Sequence, residues 1–186
     1  MTHPIDLGAT SLRSVSGEII NAASLWISNP VLVVCLRRPG CLLCREEAIH
    51  LWNERQKFES MGIRMVCILH EWRDKEVEGF HPAFWGGELY FDEAKNFHAA
   101  VHGGKIKRGN VLDLLNPFSR AWKNMRRAKE SNTVKESNLI GDGLTMGGVM
   151  IISTGGKIEY AFPEATFGDH APFEELLAAA KKAAGK

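Results

Sequence analysis

Residues 31–48 read VLVVCLRRPGCLLCREEA. The first six are apolar and mostly β-branched, the pattern of a central strand covered on both faces. Pro39-Gly40 stops that strand, and from about Cys41 the chain turns to helix formers. Cys44, Ala48, Leu51, Trp52, Phe58 and Met61 then recur at near-helical spacing, with Gly62 placed to end the helix. Arg64–Leu69, RMVCIL, is a second buried strand. The unit is strand–helix–strand, which predicts parallel strands joined by a right-handed crossover.

Working outward, residues 12–15 and 18–20 flank Ser16-Gly17 as a small hairpin. Asn21 can cap a short helix through Trp26. Residues 70–87 are expected to form a loop with one helical turn near 74–77. Glu88–Phe91 is a short strand, and Asp92 can cap a helix to about Val101. A polar loop over 102–110 leads into an amphipathic basic helix from about 112 to 129. Residues 130–146 are rich in Ser, Asn and Gly without a period, and read as a mobile surface segment. Residues 149–153 and 157–162 make a hairpin around Thr154-Gly155-Gly156. A last helix starts at about Pro172, with Phe173, Leu176, Leu177 and Ala180 inward. No repeat or linker interrupts this order. It predicts one α/β domain over residues 1–186, with a mixed central sheet flanked by helices, an N-terminal β-hairpin and a helical insert.

Composition sets the outer limits. The chain has 186 residues, 45% hydrophobic and 24% charged, with a formal net charge of +1. This is an ordinary globular balance with no global reason to expect nucleic acid. No apolar run approaches a membrane span. The start, MTHPIDLGATSLRS, lacks the basic and apolar regions of a secretory signal. Four cysteines without such a signal point to a reducing compartment, the cytoplasm. Organellar import stays open, since a trimmed transit peptide leaves no trace.

The chemistry concentrates on Cys41 and Cys44. A thiol reacts as its thiolate, and a helix N-terminus favours an anion. Cys41 is expected at such a terminus, with Arg37 and Arg38 adding positive charge from the strand end. Cys44 lies one turn further in, suited to resolve a mixed disulfide or sulfenic acid formed at Cys41. Glu46 and Glu47 partly oppose the arginines, while in the first helical turns they satisfy the dipole. Three other readings stand beside redox chemistry: a zinc site short of two ligands, a structural disulfide, and an inert buried pair. Cys35 and Cys67 fall mid-strand and read as core. His98 and His102 share a helical spacing but have no third ligand nearby, so they read as a solvated face. Arg120, Lys123, Arg126, Arg127 and Lys129, with Trp122 and Met125 interleaved, read as a solvated basic face; docking of an acidic partner or lipid headgroup is the minority reading. A CxxC at the first strand-to-helix junction of a βαβ pattern has the thioredoxin-like signature.

The strings RRPGCLLCREEA, FHPAFWGGELYFDEAKNF, GDGLTMGGVMIIS and FGDHAPFEELLAAAK together resemble the peroxiredoxin-like family. That group includes selenoprotein U and prostamide/prostaglandin F synthase, in the AhpC/TSA branch of the thioredoxin superfamily. The resemblance implies a thioredoxin-like fold and a thiol oxidoreductase or antioxidant, with Cys41 and Cys44 as the redox pair. The implied substrate is a peroxide, an endoperoxide or a disulfide. No cofactor is expected to be bound; reducing equivalents would come from thioredoxin or glutathione, and from NADPH indirectly. Peroxiredoxins place Thr or Ser three residues before the attacking cysteine. Here that place falls to Arg38 or, if Cys44 attacks, to Cys41. The loop Thr145-Met146-Gly147 stands where thioredoxins carry a cis-proline, and is expected to face the thiols and offer backbone contacts to substrate. Pro39 and Gly40 complete the supporting turn. The alternative from another class is a non-catalytic redox sensor or regulatory binding module on the same fold.

Overall fold

The computed structural model describes residues 6–186. The first five residues of the stretch read for a leader lie outside it. Seven strands form one mixed sheet in the order β2-β1-β5-β4-β3-β6-β7. The central trio is parallel: β3 (Val31–Leu36) and β4 (Arg64–Leu69) pair along their whole length, and β5 (Glu88–Phe91) joins β4. The hairpin β1 (Ser11–Ser14) and β2 (Ile19–Asn21) adds to β5 antiparallel, while β6 (Gly148–Ile152) and β7 (Ile158–Pro163) extend the other side from β3. Asn21 accepts a hydrogen bond from the Ala23 N–H and caps the expected short helix, a 3-10 turn over Ala22–Leu25 that ends at Trp26.

Every residue of β3 is buried because the sheet is covered twice. Leu32, Val34 and Leu36 face one cluster with Cys67, Ile151 and Phe58; Val31, Val33 and Cys35 face another with Leu12, Trp26 and Phe97. Cys35 and Cys67 are core residues on opposite faces, as their mid-strand positions predict. The first cluster is closed by α1 (Leu42–Asn53), α5 (Arg120–Ser131) and α6 (Phe173–Ala183), which contributes fully buried Leu176 and Ala180. Leu177 and Phe173 are partly buried beside them. The second cluster is closed by α4 (Asn96–Val101), whose Phe97 N–H bonds to the Asp92 carboxylate at 2.8 Å. Among the described residues, no helix is long and apolar enough to cross a membrane.

Three expected elements differ. The helix drawn to Met61 breaks at Glu54, where the backbone leaves helical geometry (φ −91°, ψ 5°), and resumes as α2 (Arg55–Glu59). After the break Phe58 is fully buried. The single turn near 74–77 is a longer helix, α3 (Asp74–Phe80), anchored by buried Val77 and Phe80. The basic helix starts at Arg120, not 112. Pro117 lacks an N–H and keeps the preceding residue out of helix, so Val111–Leu114 form only a 3-10 turn. Ser119 then accepts from the Trp122 N–H at 3.0 Å and caps α5.

Gly147, just before β6, passes so close to the Cys35 carbonyl oxygen that a Cβ there would overlap it. Gly147→Ala is expected to lower stability by about 2–3 kcal/mol through this overpacking. A urea midpoint shifted at unchanged slope would report it; an unshifted midpoint would mean that the strands part freely there.

Candidate active site at the start of α1

The parallel strands end on one side of the sheet, and β3 delivers Arg37, Arg38, Pro39 and Gly40 there. Cys41 occupies the N-cap position of α1 with extended backbone (φ −76°, ψ 133°), and its carbonyl accepts the Arg45 N–H at 2.9 Å. Its sulfur therefore sits where the first helical N–H groups are unsatisfied. Cys44 lies one turn inward, and both thiols are free and buried.

Arg37 organises the charge around them. Its Nε lies 3.2 Å from Glu164 Oε2, and both side chains are buried. Glu164 is held from its other sides by the N–H groups of Gly147 at 3.1 Å and Gly168 at 2.9 Å. The guanidinium also stacks over Phe167, 5.0 Å from the ring centre. Burial works against the Arg37 charge, but Cys44, Glu164, Cys41 and Glu47 outweigh it and hold the residue cationic. The two thiols diverge. Cys41 is shifted well below the usual thiol value, first by hydrogen bonding with the Cys44 thiol. Against the cost of burial, Arg37, the Cys44 N–H and Arg38 lower it further. Cys44 is pushed well up, by burial and by that same bond to Cys41.

Glu46 and Glu47 do not serve the first helical turn. They lie in the second turn of α1, where Glu46 pairs with Arg127 at 2.8 Å and Glu47 is buried. Burial, aided by nearby Glu164 and offset by Arg37, raises the Glu47 carboxyl to about 8. The folded protein therefore keeps a proton there that the unfolded chain loses near its ordinary value. This contribution to stability is intact at acid pH and declines as pH rises from that value toward 8, by up to ~1.4 kcal/mol per pH unit. Glu47→Gln is expected to flatten the decline, as read by denaturant unfolding at pH 5.5 and 8. An unchanged slope would mean that Glu47 stays ionised.

Over Cys41 opens a cleft of ≈ 680 Å³. Leu43, Leu114, Trp122, Met125, Leu144 and Phe167 give it apolar walls, and Arg37, Arg38, Arg126 and Lys129 give it cationic points. One edge is the segment at 132–144, part of the stretch that reads as a mobile surface segment. It lies on the surface, but hydrogen bonds tether it to the site. Arg45 donates from Nε to Pro39 O (2.8 Å) and from Nη1 to Glu136 O (2.5 Å), tying the segment to the turn before Cys41. The Asn138 N–H donates to Gly40 O at 2.8 Å, and its side-chain amide to Glu76 at 2.7 Å. Arg38 donates to Gly141 O at 3.3 Å. A Cβ on Gly40 would press on the side-chain ends of Asn138 and Glu76, which would have to shift to make room.

Thr145, Met146 and Gly147 do not line this cleft; Ser137, Asn138, Leu139, Gly141, Gly143 and Leu144 just before them do. Thr145 donates instead to Asp142 at 2.7 Å, and Met146 is buried in the core beside Phe167. Gly147 is linked to the site through Glu164, which its N–H holds beside Arg37. His98 and His102 are not a solvated face either. His98 is fully buried, with its pKa lowered to about 3, and donates from Nε2 to Leu36 O at 3.0 Å. His102 donates likewise to Gly147 O at 3.0 Å. Both brace the backbone that carries Arg37 and Glu164. Among the described residues no three His, Cys, Asp or Glu side chains gather as metal ligands. Sequence reasoning missed Glu164 and Phe167, which no local spacing links to Cys41. Glu47 had a signal, because it follows Cys44 by three on the inward stripe.

Residues 50–166 match the AhpC/TSA antioxidant enzyme family, a span that begins just after the thiols. Peroxiredoxin-like 2A of Xenopus tropicalis is 34% identical over 179 residues, covering 95% of this chain and 75% of its own. The Bos taurus protein of the same name is 34% identical over 163 residues, covering 87% and 70%. Among solved structures, the bacterioferritin comigratory protein of Xanthomonas campestris aligns at TM-score 0.64 and 13% identity, covering 96% of this chain and 94% of that one. The peroxidoxin BcpB of Mycobacterium tuberculosis aligns at 0.59 and 18%, covering 95% and 96%. At such identities the structures establish a shared fold, the thioredoxin-like one.

Proposed function

The chain belongs to the AhpC/TSA antioxidant enzyme family, and from that premise we propose that it is a thiol oxidoreductase cycling Cys41 and Cys44 between dithiol and disulfide. One observation carries the reading. Cys41 is the cysteine that lines the cleft, its thiolate is favoured, and Cys44 stands behind it as a protonated partner.

In this cycle the Cys41 thiolate attacks one oxygen of a peroxide. An S–O bond forms as the O–O bond breaks, and the departing oxygen takes a proton and leaves as an alcohol. Cys44 then gives up its proton and attacks the sulfenic sulfur; the S–S bond forms, and hydroxide leaves with that proton as water. The thiol pair is oxidised by two electrons and the peroxide reduced by two. An endoperoxide would instead give a sulfenate ester at Cys41 as its O–O bond breaks and the freed oxygen takes a proton. Cys44 then attacks that sulfur, the S–O bond breaks, and the second oxygen leaves with the Cys44 proton. Both oxygens thus stay in the product as a diol and no water forms. A disulfide substrate passes through a mixed disulfide at Cys41. Thioredoxin or glutathione returns the pair to the dithiol by exchange, drawing on NADPH, and a reducing compartment such as the cytoplasm suits that supply. The volume and apolar lining of the cleft support a bulky organic peroxide or endoperoxide over hydrogen peroxide.

The test is continuous NADPH consumption with thioredoxin and its reductase, or with glutathione and its reductase. An organic hydroperoxide, a cyclic endoperoxide and a small disulfide are compared. Sustained turnover that vanishes in Cys41→Ser is expected. A single stoichiometric oxidation without turnover in any combination would replace the enzyme with a redox sensor.

A further inference from the structure

Eight of the twelve exposed large apolar side chains among the described residues fall between 106 and 140. Phe118 is 87% exposed, Leu139 85% and Leu115 70%, and it is their concentration in one stretch that marks an interaction surface. The same stretch, 105–140, holds nine Lys and Arg against three Asp and Glu, in a chain whose totals are 23 and 22. Elsewhere acids outnumber bases. Lys105, Lys107, Lys123 and Lys129 have no acidic partner among the described residues. The apolar groups lie on the 3-10 turn Val111–Leu114, in the Pro117 turn and on the segment over Gly40, with cations interleaved along the sequence. Val111, Trp122 and Leu139 join Arg126 and Lys129 at the cleft itself.

We propose that this face docks on an anionic membrane surface, with Leu115, Phe118 and Ile140 entering the headgroup boundary and the unpaired lysines meeting lipid phosphates. Interleaving is what favours a membrane over a protein partner. The core of a protein interface is flat and depleted of lysine, whereas an interfacial membrane site mixes protruding apolar groups with cations. Charge complementarity then sets the lipid class, since each basic group near an anionic leaflet adds attraction that salt removes. Docked this way, the cleft mouth faces the acyl boundary.

The test is sedimentation of the 186-residue chain with vesicles of phosphatidylcholine alone and of phosphatidylcholine mixed with phosphatidylserine. Binding to the mixed vesicles at low salt, with release at high salt, is expected. Leu115→Asp with Phe118→Asp, and separately Lys107→Glu with Lys123→Glu, should each weaken it about tenfold or more. All four positions are exposed, so the thermal midpoint and the Cys41 alkylation rate should stay those of the parent. No binding to the mixed vesicles would overturn the proposal, as would equal binding to neutral ones or indifference to both double variants. Capture of an acidic soluble protein by this face, without vesicle binding, would assign it to a protein partner instead.

Discussion

Arg37→Leu is expected to remove the fast thiol and destabilise the fold together. Without the guanidinium, Glu164 keeps its buried place between two backbone N–H groups but loses its counter-charge. Breaking a buried pair from one side costs about 3–5 kcal/mol. The Cys41 midpoint should rise in the same variant, because Arg37 is the leading cation favouring its thiolate. The double variant Arg37→Leu/Glu164→Gln separates the two effects. It should regain much of the stability and none of the thiol reactivity. Chemical denaturation and alkylation rate against pH would measure both. If the double variant regained fast alkylation, the low Cys41 value would belong to the helix terminus and Cys44 rather than to Arg37. Arg37 and Arg38, the two cations favouring the Cys41 thiolate, are buried, so added salt should leave the midpoint nearly in place.

The second large effect concerns which sulfur attacks. Cys41→Ser is expected to abolish turnover and leave a slow thiol, since Cys44 is buried and shifted upward. Cys44→Ser should keep a single thiol that alkylates near neutral pH at least ~10-fold faster and traps mixed disulfides. The serine hydroxyl can still donate to the Cys41 sulfur, so Cys44→Ala should raise the midpoint above that of Cys44→Ser. A fast, low-pKa thiol surviving in Cys41→Ser would reverse the roles and put Cys41 in the place of the missing threonine.

The strands were legible because burial on both faces leaves a mark in composition. Val31–Leu36, Arg64–Leu69 and Glu88–Phe91 are where their apolar runs place them. The junction holding Cys41 and Cys44 follows from the same strand and the Pro39-Gly40 stop. What escaped was long-range. The order of residues 132–144 comes from Arg45, Gly40 and Glu76, which hold it by single hydrogen bonds that impose no period. Helical spacing puts His98 and His102 on one face, but only the packing of α4 on the sheet decides that the face is inward. Pro117 was a readable stop that the amphipathic pattern around it obscured.

The sheet order has one more consequence. Its free margins are β2, only three residues long, and β7, which ends at Pro163 and carries Glu159 tied to Lys157 at 3.0 Å. A short margin and a charged, proline-ended one are poor templates for strand addition. Stacking of one molecule on the next by backbone pairing, the first step toward amyloid-like deposits, has little to grip. Both ends of the sheet are thereby kept out of strand-by-strand aggregation.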